Sequence, residues 1–210
     1  MTDHEIKADL DEVVGIAKIA FSSFFVLEYL HQTIFGMEGE IIDSNVFLRT
    51  SIFAYWRLTV LELTKLFPAT KTDKNNHFAL RAFIDRLSTR VDLFTADEIK
   101  ALMGEIDITY NEETNNGNKI VENILVQRDT SIAHTDRGRI IVPFGVSMAN
   151  LQFLCRRAEV IIDVIHQRVN KTEFAVGNIL EPRDHLRNLV DEIVGHRRRA
   201  NIQVRLGQQP

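Results

Sequence analysis

The stretch SMANLQFLCRRAEVIIDVIHQRVN, Ser147 to Asn170, decides the fold class. Leu151, Leu154, Cys155, Ala158, Ile161, Ile162 and Ile165 recur at steps of three and four, which gathers them on one face of an α-helix; a strand, with its period of two, would scatter them. A long helix with one continuous apolar face must bury it, so the neighbouring segments are expected to be helices as well.

Working outward, the same periodicity appears nearly everywhere. From Asp3 to about Phe35 there is no proline, and Leu10, Val13, Val14, Ala17, Phe21, Phe24 and Phe25 mark one long helix or two abutting ones, closed by glycine in the 36–39 region. Asp43 or Ser44 can cap a second helix whose core face is Val46, Phe53, Trp56, Val60, Leu63 and Phe67, and Pro68 stops it. After a polar loop at 69–76, a third helix is expected over 77–89, and Thr95 with Glu98 forms a capping-box pattern that opens a fourth. The run NEETNNGN (111–118) is a loop, and residues 119–134 read as a helix. TDRGRIIVPFG (135–145) is a short extended or hairpin connection, and Pro182 sits in the first turn of a last helix reaching about Arg199, before a frayed tail. The expectation is an all-α helical bundle of about five to seven helices, a single domain over 1–210 with a C-terminal helix and tail at 178–210.

Composition narrows the function. The 210 residues carry 25 Lys plus Arg against 29 Asp plus Glu, a net charge of -4, and a single cysteine, Cys155, which cannot pair within the chain. That fits a reducing cytoplasm. The acidic start MTDHEIKADLDE has no basic region of the kind a secretory signal needs. The apolar run from Val13 to Leu30 is interrupted by Lys18, Ser22, Ser23 and Glu28, so it reads as a core helix rather than a membrane span. Charge is uneven along the chain: residues 1–127 sum to -8 and residues 128–210 to +4, so an anionic partner would favour the C-terminal part. P-loop, dinucleotide-fingerprint and nucleophile-elbow motifs do not occur. Asp163 with His166 and Asp184 with His185 lack the further ligands a metal site requires, so neither metal nor cofactor is expected.

The most informative segment for function is VENILVQRDTSIAHTDRGR, residues 121–139. With Val121 set at zero on a helix, Ile124 falls near ~300°, Leu125 near ~40° and Arg128 near ~340°, which puts an arginine inside the apolar stripe. A guanidinium does not lose its charge, so Arg128 must meet an acid, carbonyls or an anion, or extend outward. The acids open to it are Glu62, Asp163 and Asp129. His134 lies six residues on, about 240° around and about 9 Å along the axis, so the two side chains share no helix face. They converge only where the helix ends or bends, or around a neighbouring surface such as a second copy of the chain. Alone, His134 would also serve as a C-terminal helix cap.

Arg128, Asp129, four more residues and then His134, at the end of a helix in an all-α chain, resemble the Arg-polar-X(n)-His signature of the HEPN superfamily, the higher eukaryote and prokaryote nucleotide-binding domains. The fuller string RDTSIAHTDRGR looks most like the abortive-infection branch, with its pattern Arg-(Asn/Asp)-X-X-X-Ala-His-X-Asp, and the preceding helix with Trp56 and LELTKLF (61–67) looks like that branch too. The resemblance covers about residues 10–170.

It implies a helical-bundle domain that forms a homodimer and brings two motifs to one cleft. Catalytic members are metal-independent endoribonucleases, toxins or agents of phage defence, held in check by a cognate antitoxin; others only bind RNA or nucleotides. Arg128 would neutralise charge on a phosphorane, His134 would move the proton of a ribose 2'-hydroxyl or protonate the leaving 5'-oxygen, and Asp129 would orient either one. Ser131, Arg137 and Arg139 would supply phosphate contacts to RNA, with Arg156, Arg157 and the basic run 196–199 as further candidates. The antitoxin-linked subgroup carries a tyrosine two positions after its histidine; this chain has Asp136 there, so regulation by tyrosine modification at that position is not expected. The alternative is a non-catalytic helical module for RNA binding or protein interaction, in which Arg128 is an interface ion pair.

Overall fold

A computed structural model describes residues 1–32, 36–69, 76–114, 117–129, 146–174 and 181–205, with backbone alone at 37 and 200–205. The described residues form eight helices: α1 (Asp3–Gln32), α2 (Gly36–Ser44), α3 (Val46–Leu66), α4 (Leu80–Leu87), α5 (Ala96–Asn111), α6 (Ile120–Gln127), α7 (Met148–Asn170) and α8 (Glu181–Arg205). The only strand-like pairing among them is an isolated antiparallel bridge between Glu113 and Lys119, flanking Gly117 at φ 76°. The chain is all-α.

Two compact units divide the chain, with the boundaries inside α1 and α3. The first comprises Met1–Phe21 and Arg57–Val176. Here α5 touches α4, α6 and α7. The residues buried on α7 are Leu151, Leu154, Cys155, Ala158, Ile161, Ile162 and Ile165, the face that its spacing predicted. Its β-branched residues each weaken a helix by a few tenths of a kcal/mol against alanine, whereas burying each isoleucine or leucine contributes roughly 1.5–3 kcal/mol. Packing therefore holds α7, not propensity. Tyr110 Oη donates to Pro68 O at 2.8 Å and its ring meets Phe67 edge-on, which ties the end of α5 to the end of α3. On α1, Asp9 accepts from Arg86 Nη2 of α4 at 2.9 Å and pairs with His77 at 3.2 Å.

The second unit comprises Ser22–Trp56 and Gly177–Pro210. Its core is Val26, Leu30, Ile41, Ile42 and Leu48 with Val190 and Val194 of α8, and α2 and α8 are in contact. Arg183 of α8 lies 5.9 Å from the centre of the Phe25 ring.

Helix ends show where local signals sufficed. Thr95 Oγ1 accepts from Glu98 N while the Glu98 carboxylate accepts from Thr95 N, the expected capping box. Hydrogen bonds from Thr95 hold the Glu98 carboxyl below its usual range, with Arg168 adding to the effect. Thr2 and Glu5 make the same reciprocal pair at α1, a signal legible in the sequence that the helical periodicity overshadowed.

Several boundaries differ from expectation. The helix α2 begins at Gly36, whose φ of 78° closes the preceding segment as a glycine should, yet nine residues with two glycines had offered no helical pattern. The cap of α3 is Asn45, whose Oδ1 accepts from Phe47 N at 2.9 Å and Leu48 N at 3.2 Å, rather than Asp43 or Ser44. Val46 is consequently the first helical residue and is 77% exposed, not part of the core face. The third expected helix shortens to Leu80–Leu87, and α8 runs on to Arg205. The expected connection at 135–145 lies outside the described residues. By length and composition alone α1 could cross a bilayer; Leu10, Val13, Ala17, Ala20, Phe21, Phe24, Leu27 and Leu30 are buried within the protein.

Candidate functional site

The candidate site starts at the end of α6. Ile120, Val121, Ile124 and Leu125 are buried there together with Gln127, while Val126 on the opposite side is exposed. This apolar anchoring fixes the helix that carries Arg128. The Arg128 N–H still bonds to Ile124 O, but the backbone widens to a π turn at Arg128 and Asp129. Insertions of this kind break the regular ladder and often accompany functional residues.

Arg128 is placed at the stripe but not sealed in it: its side chain is 32% exposed. Of the three acids open to it, Asp129 is the partner, with Arg128 Nε donating to Oδ1 at 2.7 Å. Glu62 is buried on α3 and takes Lys65 instead, at 2.6 Å. Asp163 accepts from Phe174 N at 2.9 Å and Gln167 Nε2 at 2.8 Å, which fastens the chain after α7 back onto that helix.

The geometry has a chemical consequence. A guanidinium has a fork of two terminal nitrogens and a third nitrogen, Nε, on its stem. Asp129 occupies Nε, and the terminal pair makes no hydrogen bond among the described residues. An arginine held by the stem in this way presents a planar bidentate donor, the arrangement suited to two oxygens of one phosphate. Ser131, His134, Arg137 and Arg139 lie outside the described residues.

The additional basic candidates separate. Arg156 is exposed on α7. Arg157 has a partner within the first unit: Nη1 donates to Glu105 Oε2 of α5 at 2.5 Å, and the guanidinium lies 5.2 Å from the centre of the Phe153 ring. It acts as a clasp between α5 and α7. His196 and Arg197 to Arg199 are exposed near the C-terminal end of α8, in the second unit.

Neither acid–histidine pair gathers further ligands. His166 Nδ1 bonds to Thr172 O at 2.8 Å, and His185 pairs with Glu181 at 3.8 Å. No group of three or more metal-ligating side chains occurs among the described residues.

The first unit also holds a cleft that no sequence motif marks. This cleft, of about 270 Å³, is walled by Ile6, Leu93 and Val169 and carries Asp3, Lys7, Arg168 and Lys171. These residues come from three distant stretches with no common motif, so only folding assembles them.

No family model matches the chain, and no curated protein or solved structure matches it.

Proposed function

We propose that the protein is a metal-independent endoribonuclease of the HEPN type, in the manner of the abortive-infection toxins, cleaving RNA by 2'-hydroxyl transesterification. The observation that supports this reading is Arg128 held through Nε by Asp129 at 2.7 Å, with its terminal fork uncommitted among the described residues, six positions before a histidine.

The chemistry follows from the residue types. The fork of Arg128 takes the two non-bridging oxygens of the scissile phosphate and stabilises the charge that grows on them in the phosphorane. The 2'-oxygen bonds to phosphorus as its proton passes to a neutral imidazole; the bond from phosphorus to the 5'-oxygen breaks as that oxygen takes a proton from an imidazolium. The products are a 2',3'-cyclic phosphate and a 5'-hydroxyl. His134 is the proton carrier in this scheme, and a homodimer supplies two such histidines, one as base and one as acid. Asp129 positions Arg128. Ser131, Arg137 and Arg139 grip neighbouring phosphates in the basic C-terminal part of the chain, the site of action is the cytoplasm, and a cognate antitoxin restrains it.

The test is cleavage of labelled single-stranded RNA in EDTA by the wild type and by His134→Ala. Cyclic-phosphate ends from the wild type alone support the proposal; equal inactivity of both with unchanged RNA affinity defeats it. That second result is what a non-catalytic RNA-binding or protein-interaction module would give, a reading favoured by the Asp129 carboxylate that already compensates the Arg128 charge.

A further inference from the structure

The cleft at the start of α1 and the end of α7 combines three apolar walls with an excess of positive charge. Four charged side chains line it. Asp3 is taken by Arg90 Nη2 at 2.6 Å, and Arg168 is taken by Glu98. Lys7 and Lys171 have no carboxylate partner among the described residues. Two lysines without a carboxylate partner among the described residues therefore line one small cleft.

Lys171 adds a second observation. It caps α7 in the left-handed conformation, φ 58° and ψ 28°, and is the one non-glycine residue with positive φ among those described. Glycine is the favoured residue at such a helix end because it carries no Cβ penalty there. The cap fixes the backbone from which the Lys171 side chain departs at the rim of the cleft.

We infer that this cleft binds a small phosphomonoester, with Lys7 and Lys171 on the phosphate and Ile6, Leu93 and Val169 against the carbon skeleton. The charge matches: a phosphomonoester carries about -1.5 to -2 near neutral pH, enough to balance two lysines, whereas a ligand with a single carboxylate balances only one. The donor type matches as well, since an ammonium binds phosphate as a point charge, whereas planar carboxylate recognition favours an arginine fork. Asp3 and Arg168 are already engaged, by Arg90 and Glu98, which leaves the two lysines for the ligand. None of these residues belongs to the Arg128 motif, so the inference stands apart from the ribonuclease reading.

Calorimetric titration of the full chain with ribose 5-phosphate, inorganic phosphate and ribose at low ionic strength tests it. Ribose 5-phosphate is expected to bind saturably at one site, phosphate more weakly and ribose not at all. Lys7→Gln and Lys171→Gly should each weaken ribose 5-phosphate about tenfold, while Lys18→Gln, at an exposed position elsewhere on α1, leaves it unchanged. Glycine suits the backbone at 171, so Lys171→Gly should keep or raise the melting temperature while binding falls, which separates loss of a ligand contact from loss of fold. No saturable binding, phosphate binding as tight as ribose 5-phosphate, or wild-type affinity in the double lysine variant each overturns the assignment. The readout contains no RNA, so its failure leaves the nuclease proposal untouched.

Discussion

Arg128 and Asp129, adjacent in the chain, are joined by a hydrogen bond from Nε to Oδ1 at 2.7 Å, which engages the one guanidinium nitrogen outside the terminal fork. The aspartate is more than half exposed and the arginine about one-third, so the pair is partly bathed in water. Exposed pairs of this kind contribute about 0–1 kcal/mol to stability. Their arrangement matters more for the direction in which the fork points than for holding the fold.

Arg128→Lys should therefore leave the melting temperature nearly unchanged and still reduce the proposed RNA cleavage by about 10²–10³-fold, the scale lost when one preorganised charge-stabilising donor is removed. Lysine keeps the charge but has neither the fork nor the stem nitrogen that Asp129 holds. Asp129→Asn should reduce cleavage less, because a neutral acceptor still orients Nε. Cleavage kinetics beside thermal melts check both; equal losses in activity and in stability would refute the division.

The Arg90 cluster carries a pH dependence. Arg90 donates to Asp92 and Asp3; the bond to Asp92 lowers that carboxyl from its ordinary 3.8 to about 2, and the two bonds together raise the guanidinium further. A carboxyl whose folded pKa is depressed stabilises the folded state fully above the unfolded value and loses that contribution as pH falls through the folded one. Wild type should thus exceed Asp92→Asn in stability above about pH 4, and the gap should close toward pH 2. Urea unfolding of the two proteins across that range measures it, and a gap that persists at pH 2 would rule the arginine pair out as its source.

Asn45 is the cap of α3 through its bonds to Phe47 N and Leu48 N. Asn45→Ala should cost about 1 kcal/mol, the usual loss for a helix cap, while Asp43→Ala should cost only a few tenths, as exposed substitutions away from such features do. Chemical denaturation of the two variants compares them directly. The larger loss at Asp43 would move the start of the helix.

Much of the fold was legible because a helix is a local object. The seven buried residues of α7 and the reciprocal bonds of Thr95 and Glu98 depend only on spacings of three or four residues, which backbone geometry converts into a shared face or a closed cap. Elsewhere the local pattern is thin: α2 is short and contains two glycines, and Asp43, Ser44 and Asn45 are all competent caps in a row. Choosing among those three requires knowing where the backbone turns.

By itself, the sequence determined that the chain is all-α, which faces of its long helices are apolar, and that Arg128 needs an electrostatic partner, since charge and periodicity are properties of residue type and order. Only the tertiary structure decided that this partner is Asp129, that Glu62 takes Lys65 and Arg157 takes Glu105, and that Lys7 and Lys171 line one cleft. An ion pair or a cleft exists only where folding brings groups within a few ångströms, and residues separated by more than 160 positions carry no local mark of that approach.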